Sequence, residues 1–244
     1  MNSTSKRAAA SHLEAHLFSG PEADEYQLRL WPLAGVDDLS AVAASFFRTL
    51  RDFLLDHGAD LDAVVSETVF YADIDRDFSV FSAARAQISS EIVGYCSAVQ
   101  DLGQPPLNPS SAIELLVHAV IPRKTEASKK QLVVTADASS EETHQAVLLR
   151  RAGQKSCYGA GIFGVGEDAR EQTLNMFEQA EALLRKAGMA FADVVRTWIY
   201  FPEMERDYLD FNEGRRAFFQ KYGVDPIPAS TGIGALLPGS SQRV

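Results

Sequence analysis

Apolar residues along this chain fall into two successions of the same kind. In the first, Leu39, Val42, Ala43, Phe46, Phe47, Leu50, Phe53 and Leu54 recur at the spacing of one helical face. In the second, Leu174, Phe177, Ala180, Leu183 and Leu184 do the same. Acidic pairs, Asp37-Asp38 and Glu167-Asp168, stand where each helix would open and suit the positive end of its dipole. Gly58 and Gly188 stand where each would stop. Runs with strand character follow at 63–71 and 194–201. In the latter, Val195, Thr197, Ile199 and Phe201 alternate with Val194, Arg196, Trp198 and Tyr200, the two-residue period of a strand. Second helices are expected at 78–88 and 208–219. Short apolar strands at 26–33 and 157–165 precede each first helix, and strands at 112–121 and 229–236 close the two series.

The two successions are copies at a fixed offset of 130 positions. Gly58 meets Gly188, Val64-Val65 meets Val194-Val195, Arg76-Asp77 meets Arg206-Asp207, Phe81 meets Phe211 and Arg85 meets Arg215. A solenoid unit is only about 20–50 residues long, so this period is that of a whole domain. The expectation is a tandem pair, 1–124 and 125–244, each an α+β unit with two helices on one face of a mixed sheet. Residues 123–130 read as a charged linker. A strand at 131–136 has no equivalent among the polar first residues. The counterpart of 112–121 would fall at 242–251, past Val244, so the second domain is expected to lack its last strand.

Composition narrows the functions open to such a pair. Against 33 acidic residues stand 23 Lys and Arg, a formal charge of -10, which argues against nucleic acid as a partner. The local basic group Arg123-Lys124 and Lys129-Lys130 reads as solvated linker. Cys96 and Cys157 form neither a disulfide framework nor a metal-type pair. No apolar run approaches the roughly 18 residues of a membrane span. The start of the chain lacks a signal-like apolar core, so a cytoplasmic protein is expected.

Three segments carry a family resemblance. Ala187-Gly188-Met189 through Asp193-Val194-Val195-Arg196-Thr197, then 208–219, then Pro228-Ala229-Ser230, resemble the YjgF/RidA superfamily. Its hallmark is an "AG…DVV…T" passage, a second helix and a "PAR(S/T)" strand. Gly159-Ala160-Gly161-Ile162, Arg196-Thr197-Trp198-Ile199-Tyr200 and Tyr208…Phe211-Asn212…Gly214-Arg215 are similar to two-domain, chorismatase-like members. The resemblance implies a chorismate-mutase-like fold, a trimer or pseudo-trimer, and ligand clefts between sheets. It implies a hydrolase acting on a small carboxylated imine, enamine or enol ether, with the site in the second domain. Two departures stand out. The family's "PAR" arginine corresponds to Ser230, and its last-strand acid falls beyond Val244, while the first domain keeps Glu114 but no "PAR" segment.

The candidate substrate-binding residues are Arg196, Trp198, Tyr200, Tyr208, Arg215, Ser230 and Thr231. An arginine backed by aromatics suits a small carboxylate, and equally a sheet-edge arginine reaching water. Tyr208 and Arg215 lie seven apart, two turns along one helix face with Phe211 and Asn212 between, as a clamp would require. Because Arg85 repeats Arg215, a role in the fold is the competing reading. Ser230 and Thr231 suit an anion, or merely the neighbouring backbone. No catalytic residue is assigned. Five scattered histidines, His12, His16, His57, His118 and His144, lack metal-ligand spacing, so neither metal nor cofactor is expected. The glycines at 159, 161, 164 and 166 have no following Lys-Ser/Thr and read as close backbone packing rather than a phosphate loop. Two other readings stay open: a non-catalytic metabolite-binding or assembly protein, and a ribonuclease, which the charge disfavours.

Overall fold

The structure, a computed structural model, describes residues 11–92, 95–123, 129–136, 143–151 and 153–239. It is an α+β protein in which one succession of elements occurs twice. The first half runs β1 (Ser11–Ser19), β2 (Ala23–Pro32), α1 (Leu39–Asp56), a 3-10 turn (Leu61–Ala63), β3 (Val64–Tyr71), α2 (Ile74–Ser90), β4 (Ala98–Leu102) and β5 (Ile113–Pro122). The second runs β6 (Lys129–Ala136), β7 (Thr143–Arg151), β8 (Gln154–Ala160), α3 (Ala169–Lys186), a 3-10 turn (Phe191–Asp193), β9 (Arg196–Phe201), α4 (Met204–Tyr222) and β10 (Ala229–Gly234).

The helices form where the pattern places them, for local reasons. Asp38 caps α1 by accepting from the Ser40 and Ala41 amides, and Asp168 caps α3 by accepting from the Glu171 amide. Gly58 (φ 78°) and Gly188 (φ 69°) take the left-handed turn after each helix. In both, the amide one residue further on closes the last turn, Ala59 onto Leu54 and Met189 onto Leu184. The apolar stripes lie against a sheet: Phe46, Leu50, Leu54 and Phe81 pack on Leu28, Leu30, Val69, Leu115 and Val117. In the second half Phe177, Phe211 and Phe218 pack on Ile199 and Phe201. Each such burial contributes about 1.5–3 kcal/mol.

The sheets differ between halves. In the first, five strands run in the order β1-β2-β5-β3-β4, with only β3 and β4 parallel. The second half has β6-β7-β8, all antiparallel, and a separate parallel pair β10-β9. The register repeats as well: Ser66 pairs with Ala98 and Arg196 with Ala229. The counterpart of β10 is therefore β4, a strand the pattern did not show, and Ala98-Val99 occupies the place of Ala229-Ser230.

Several boundaries move. Strands β1, β4 and β7 escape the sequence reading, and His12 and His16 lie in β1. The strand expected at 157–165 ends at Ala160, before Gly161 at φ 62°. Val194-Val195 precede β9 instead of belonging to it, and Val195 is exposed. Gly164 does pack closely, but in a loop: a side chain there would meet the Gln172 carbonyl oxygen at 1.7 Å. Lys130, expected in a linker, lies in β6 and donates to the Val64 carbonyl at 2.7 Å. Arg123 pairs with Asp24 at 2.6 Å, while Lys124 lies outside the described residues.

The first sheet's uncovered face is closed by the second half. Leu149 and Tyr158 pack on Ala23, Val65 and Val120. Around them Arg151 reaches Glu25 at 3.7 Å, and the Gly161 amide donates to Gln100 Oε1 at 3.1 Å. Gly103 and Leu236 exchange backbone hydrogen bonds of 2.8 and 3.3 Å, joining the end of β4 to the segment after β10. Among the described residues no helix is long and apolar enough to cross a membrane.

Candidate functional site

The seven residues expected to bind substrate fall into separate groups. Along β9, Arg196, Trp198 and Tyr200 share one face by alternation, as expected. The Arg196 guanidinium lies 4.2 Å over the Trp198 ring and donates to Thr231 Oγ1 at 2.9 Å. Thr231 thus joins this group from β10. Ser230 does not, because it shares a face with Gly232, where a side chain would meet Phe201 at 3.3 Å and Met204 at 3.6 Å. Ser230 therefore faces α4. The Arg196 group is open, with Trp198 52% exposed, and an exposed cation–π contact contributes only about 0.5–1 kcal/mol. Tyr200 is half-buried, and burial pushes its phenol above the ordinary value.

The second group runs along α4. Asn212 Nδ2 donates to the Tyr208 carbonyl at 2.7 Å, and Arg215 Nη2 donates to Asn212 Oδ1 at 2.6 Å. The Arg215 guanidinium also lies 5.2 Å from the Phe211 ring centroid. Tyr208 meets Phe201 edge-on at 6.5 Å and stacks beside Phe211 at 6.4 Å. A phenol, an amide and a guanidinium do line one stripe. However, α4 packs on the Ile199/Phe201 face of β9, the side away from Arg196 and Trp198. Arg196, Tyr208 and Arg215 therefore do not converge on one cleft.

The duplication supplies a control for each residue. Arg76 and Asp77 form a two-bond pair at 2.6 and 2.7 Å, and Arg206 with Asp207 repeats it at 2.7 and 2.7 Å. Both aspartates are buried at the start of the second helix, so this repeated pair serves the fold. Arg85 and Arg215 diverge. Arg85 belongs to a part-buried polar cluster with Glu67, Tyr71, Tyr95, Ser97 and Asp101, at whose margin Lys130 lies 5.9 Å from the Tyr95 ring centroid. Tyr71 donates to Asp101 at 2.7 Å, and Tyr95 and Ser97 both donate to Glu67 Oε1. Burial pushes the Asp101 carboxyl up, while the Arg85 charge and the Tyr71 hydroxyl pull it back. Arg85 Nε and Glu67 Oε2 are buried without a hydrogen-bond partner among the described residues.

By register, the second half replaces Glu67 with Thr197, Tyr71 with Phe201 and Asp101 with Gly232. Arg215 keeps its place, but both carboxylates are gone. Among the described residues it has no salt bridge, and Asn212 and Phe211 are its partners. Pattern reading missed the Glu67 and Asp101 cluster. An acid inside an otherwise apolar run, as Glu67 is within 64–71, was the available signal.

Other groups are engaged. Glu114 is buried in a two-bond pair with Arg29, at 2.6 and 3.0 Å, and Arg29 lies 4.4 Å over Trp31. Neither half places an arginine at the family's "PAR" position, which is Val99 in β4 and Ser230 in β10. A groove of about 750 Å³ lies between the halves, lined by Asp60, Asp62, Val65, Lys130 and Leu149 among others. None of the expected site residues lines it. Burial lowers the pKa of Lys130 there. Of the histidines, His12 stacks on Trp31 and His57 on Phe53. Among the described residues no cluster of three or more His, Cys, Asp or Glu could hold a metal.

Residues 133–241 match the family model for Endoribonuclease L-PSP. A comparison with curated proteins finds no match. Among solved structures the chain is similar to a putative translation initiation inhibitor from Salmonella typhimurium, with 16% identity, 45% of this chain and 100% of that chain covered, and a TM-score of 0.35. It is similar to Rv2704, a YjgF/YER057c/UK114 family member from Mycobacterium tuberculosis, with 21% identity, 47% and 92% covered, and a TM-score of 0.34. The YjgF gene product of E. coli gives 18% identity, 44% and 86% covered, and a TM-score of 0.35. The assignment rests on the family match, since these scores over the whole chain are low. The match over residues 133–241 makes the second half similar to the YjgF/RidA superfamily.

Proposed function

We propose that the second half binds a small carboxylate-bearing metabolite at the Tyr208, Asn212 and Arg215 stripe. We propose further that the chain is a RidA-like hydrolase of a carboxylated imine, enamine or enol ether. The observation that supports this is the contrast between the two arginines. Arg85 has Asp101 and Glu67 in its own cluster, whereas Arg215 keeps the position without either acid. A guanidinium with free donors on a half-buried helix face matches a carboxylate in shape and charge. In this reading Arg215 holds the carboxylate and Asn212 fixes the guanidinium. The Tyr208 hydroxyl is the proton-carrying group on the same stripe as water adds to the C=N or vinyl carbon. Addition to an imine gives a carbinolamine, which releases ammonia and leaves a 2-oxo acid.

A second reading, a non-catalytic metabolite-binding or assembly member, is favoured by Ser230 standing where the family's arginine would be. Calorimetric titration with pyruvate and phosphoenolpyruvate addresses the shared part of both readings. Arg215→Ala should weaken binding by roughly 1.5–3 kcal/mol, the scale of a charge-assisted hydrogen bond. Arg85→Ala and Arg196→Ala should leave it in place, because neither lies on the stripe. Turnover is read as 2-oxo acid release from an imino acid generated in the cuvette. Binding without turnover selects the non-catalytic reading. No binding by the unaltered protein removes the carboxylate site.

A further inference from the structure

Strand β1 is bonded to β2 along one edge, in register from Ser11 opposite Pro32 to Ser19 opposite Asp24 without a bulge. Its other edge ends the five-stranded sheet, with no strand beside it among the described residues. Such an edge templates pairing unless lysines, prolines or bulges blunt it, and Ser11–Ser19 has none of these. It carries instead two exposed apolar side chains, Leu17 at 54% and Phe18 at 74%. Alternation puts them on opposite faces. Leu17 lies on the side of Leu13, which packs at the margin of the first core, and Phe18 on the side of His12, which stacks on Trp31. The strand is also self-complementary about Ala15. Laid antiparallel to a second copy of itself, it sets Leu13 against Leu17, Glu14 against His16, His12 against Phe18 and Ser11 against Ser19. Glu14, the one acidic residue of β1, already pairs with Arg29 at 3.3 Å, so no uncompensated like charges meet near Ala15.

We propose that β1 is an interface between two copies of this chain, its free edge bonded antiparallel to its counterpart around a two-fold axis at Ala15. The two five-stranded sheets then become one continuous sheet across the axis. A two-fold contact uses the same patch on both partners, so each favourable pair occurs twice. Leu17 of one copy covers Leu13 of the other on the helix side of the sheet. On the opposite side Phe18 lies against His12, and the carboxylate of Glu14 meets the imidazole of His16. Main-chain hydrogen bonds supply the affinity, and the side chains supply the register. Moving the axis to His16 would set Glu14 against Phe18, and moving it to Glu14 would set His12 against His16. Only at Ala15 do apolar, aromatic and acid–imidazole pairs all form.

The test places a thiol on the axis of the full chain. In Ala15→Cys the two thiols face each other, and a short bis-maleimide should join most of the protein into covalent dimers. In Ser19→Cys each thiol lies opposite Ser11, about 27 Å from its mate at roughly 3.4 Å per residue. That variant should give only the background of the unaltered chain, which carries Cys96 and Cys157. In sedimentation equilibrium, Leu17→Lys combined with Phe18→Lys, both at exposed positions, should raise the dissociation constant by about tenfold or more. His16→Glu should raise it too, by setting carboxylate against carboxylate. Adding Glu14→His to that variant should restore most of the association, because the acid–imidazole pairs are rebuilt in reverse, an outcome that general damage to the fold would not give. A chain that sediments as a monomer at micromolar concentration would overturn the proposal. So would Ala15→Cys protein linked no better than Ser19→Cys, or association untouched by the two lysines.

Discussion

Arg85 and Arg215 occupy equivalent places on equivalent helices, yet their removal should have opposite consequences. Without Arg85, the buried Glu67 and the half-buried Asp101 lose the guanidinium beside them, and Lys130, 5.9 Å from the Tyr95 ring centroid, is the cation that remains near Glu67. Leaving a buried charge uncompensated costs about 3–5 kcal/mol. Without Arg215 only an amide contact and a ring contact are lost, a change within about 1 kcal/mol. Urea denaturation of Arg85→Ala and Arg215→Ala should therefore separate the two, and equal losses would make both arginines structural. The reciprocal change, Thr197→Glu, puts back an acid from the first-half cluster. It should lower pyruvate affinity at least about tenfold if that acid competes for Arg215. The repeat was legible in the sequence because matched residues stand at one offset. The environment of Arg215 was not, because Asp101 and Gly232 are brought into equivalence only by the pairing of β4 and β10.

The helices were legible and three of the ten strands, β1, β4 and β7, were not, and for β1 and β4 the reason is physical. A helix on a sheet needs a broad apolar stripe, so α1 shows Phe46, Leu50 and Leu54 at helical spacing, with Asp38 and Gly58 as its ends. Strand β1 is an edge whose residues are largely exposed, and β4 has only five residues, two of them buried. Neither pattern rises above that of a loop. The repeated helix stops carry their own prediction. Gly58 and Gly188 both sit at positive φ, and a side chain at Gly58 meets nothing within 4 Å. Gly58→Ala therefore carries backbone strain alone, about 1 kcal/mol. Gly188→Ala should cost the same, since its nearest neighbour is the flexible Lys155 Nζ at 3.3 Å. Thermal unfolding should show near-equal shifts, and a much larger loss at Gly188 would mean that this turn has a role beyond ending α3.

The whole molecule depends on how the halves meet, and His118 reports on that contact. It lies on the face of the first sheet that the second half covers, edge-on to Tyr158 at 5.4 Å and 3.2 Å from Glu25, which Arg151 also approaches. Burial lowers its pKa, and the Glu25 carboxylate only partly offsets this. In the unfolded chain the imidazole takes its proton near pH 6.5, whereas in the folded chain it does so at lower pH. Between those two values the unfolded state holds more protons, so stability rises with pH there and is lost as pH falls. The contribution of neutral His118 is fully present above the unfolded value and absent once pH is below the folded one. Urea midpoints taken from pH 7.5 downward should therefore decline from about pH 6.5. His118→Gln keeps a side chain able to donate to Glu25 but carries no titrating group, and it should flatten that decline without abolishing folding. If the contact between the halves is what buries the imidazole, Tyr158→Ala should flatten it too, because water regains access to the ring. A decline unchanged in both variants would assign the pH dependence to other groups and remove His118 as a reporter of the contact.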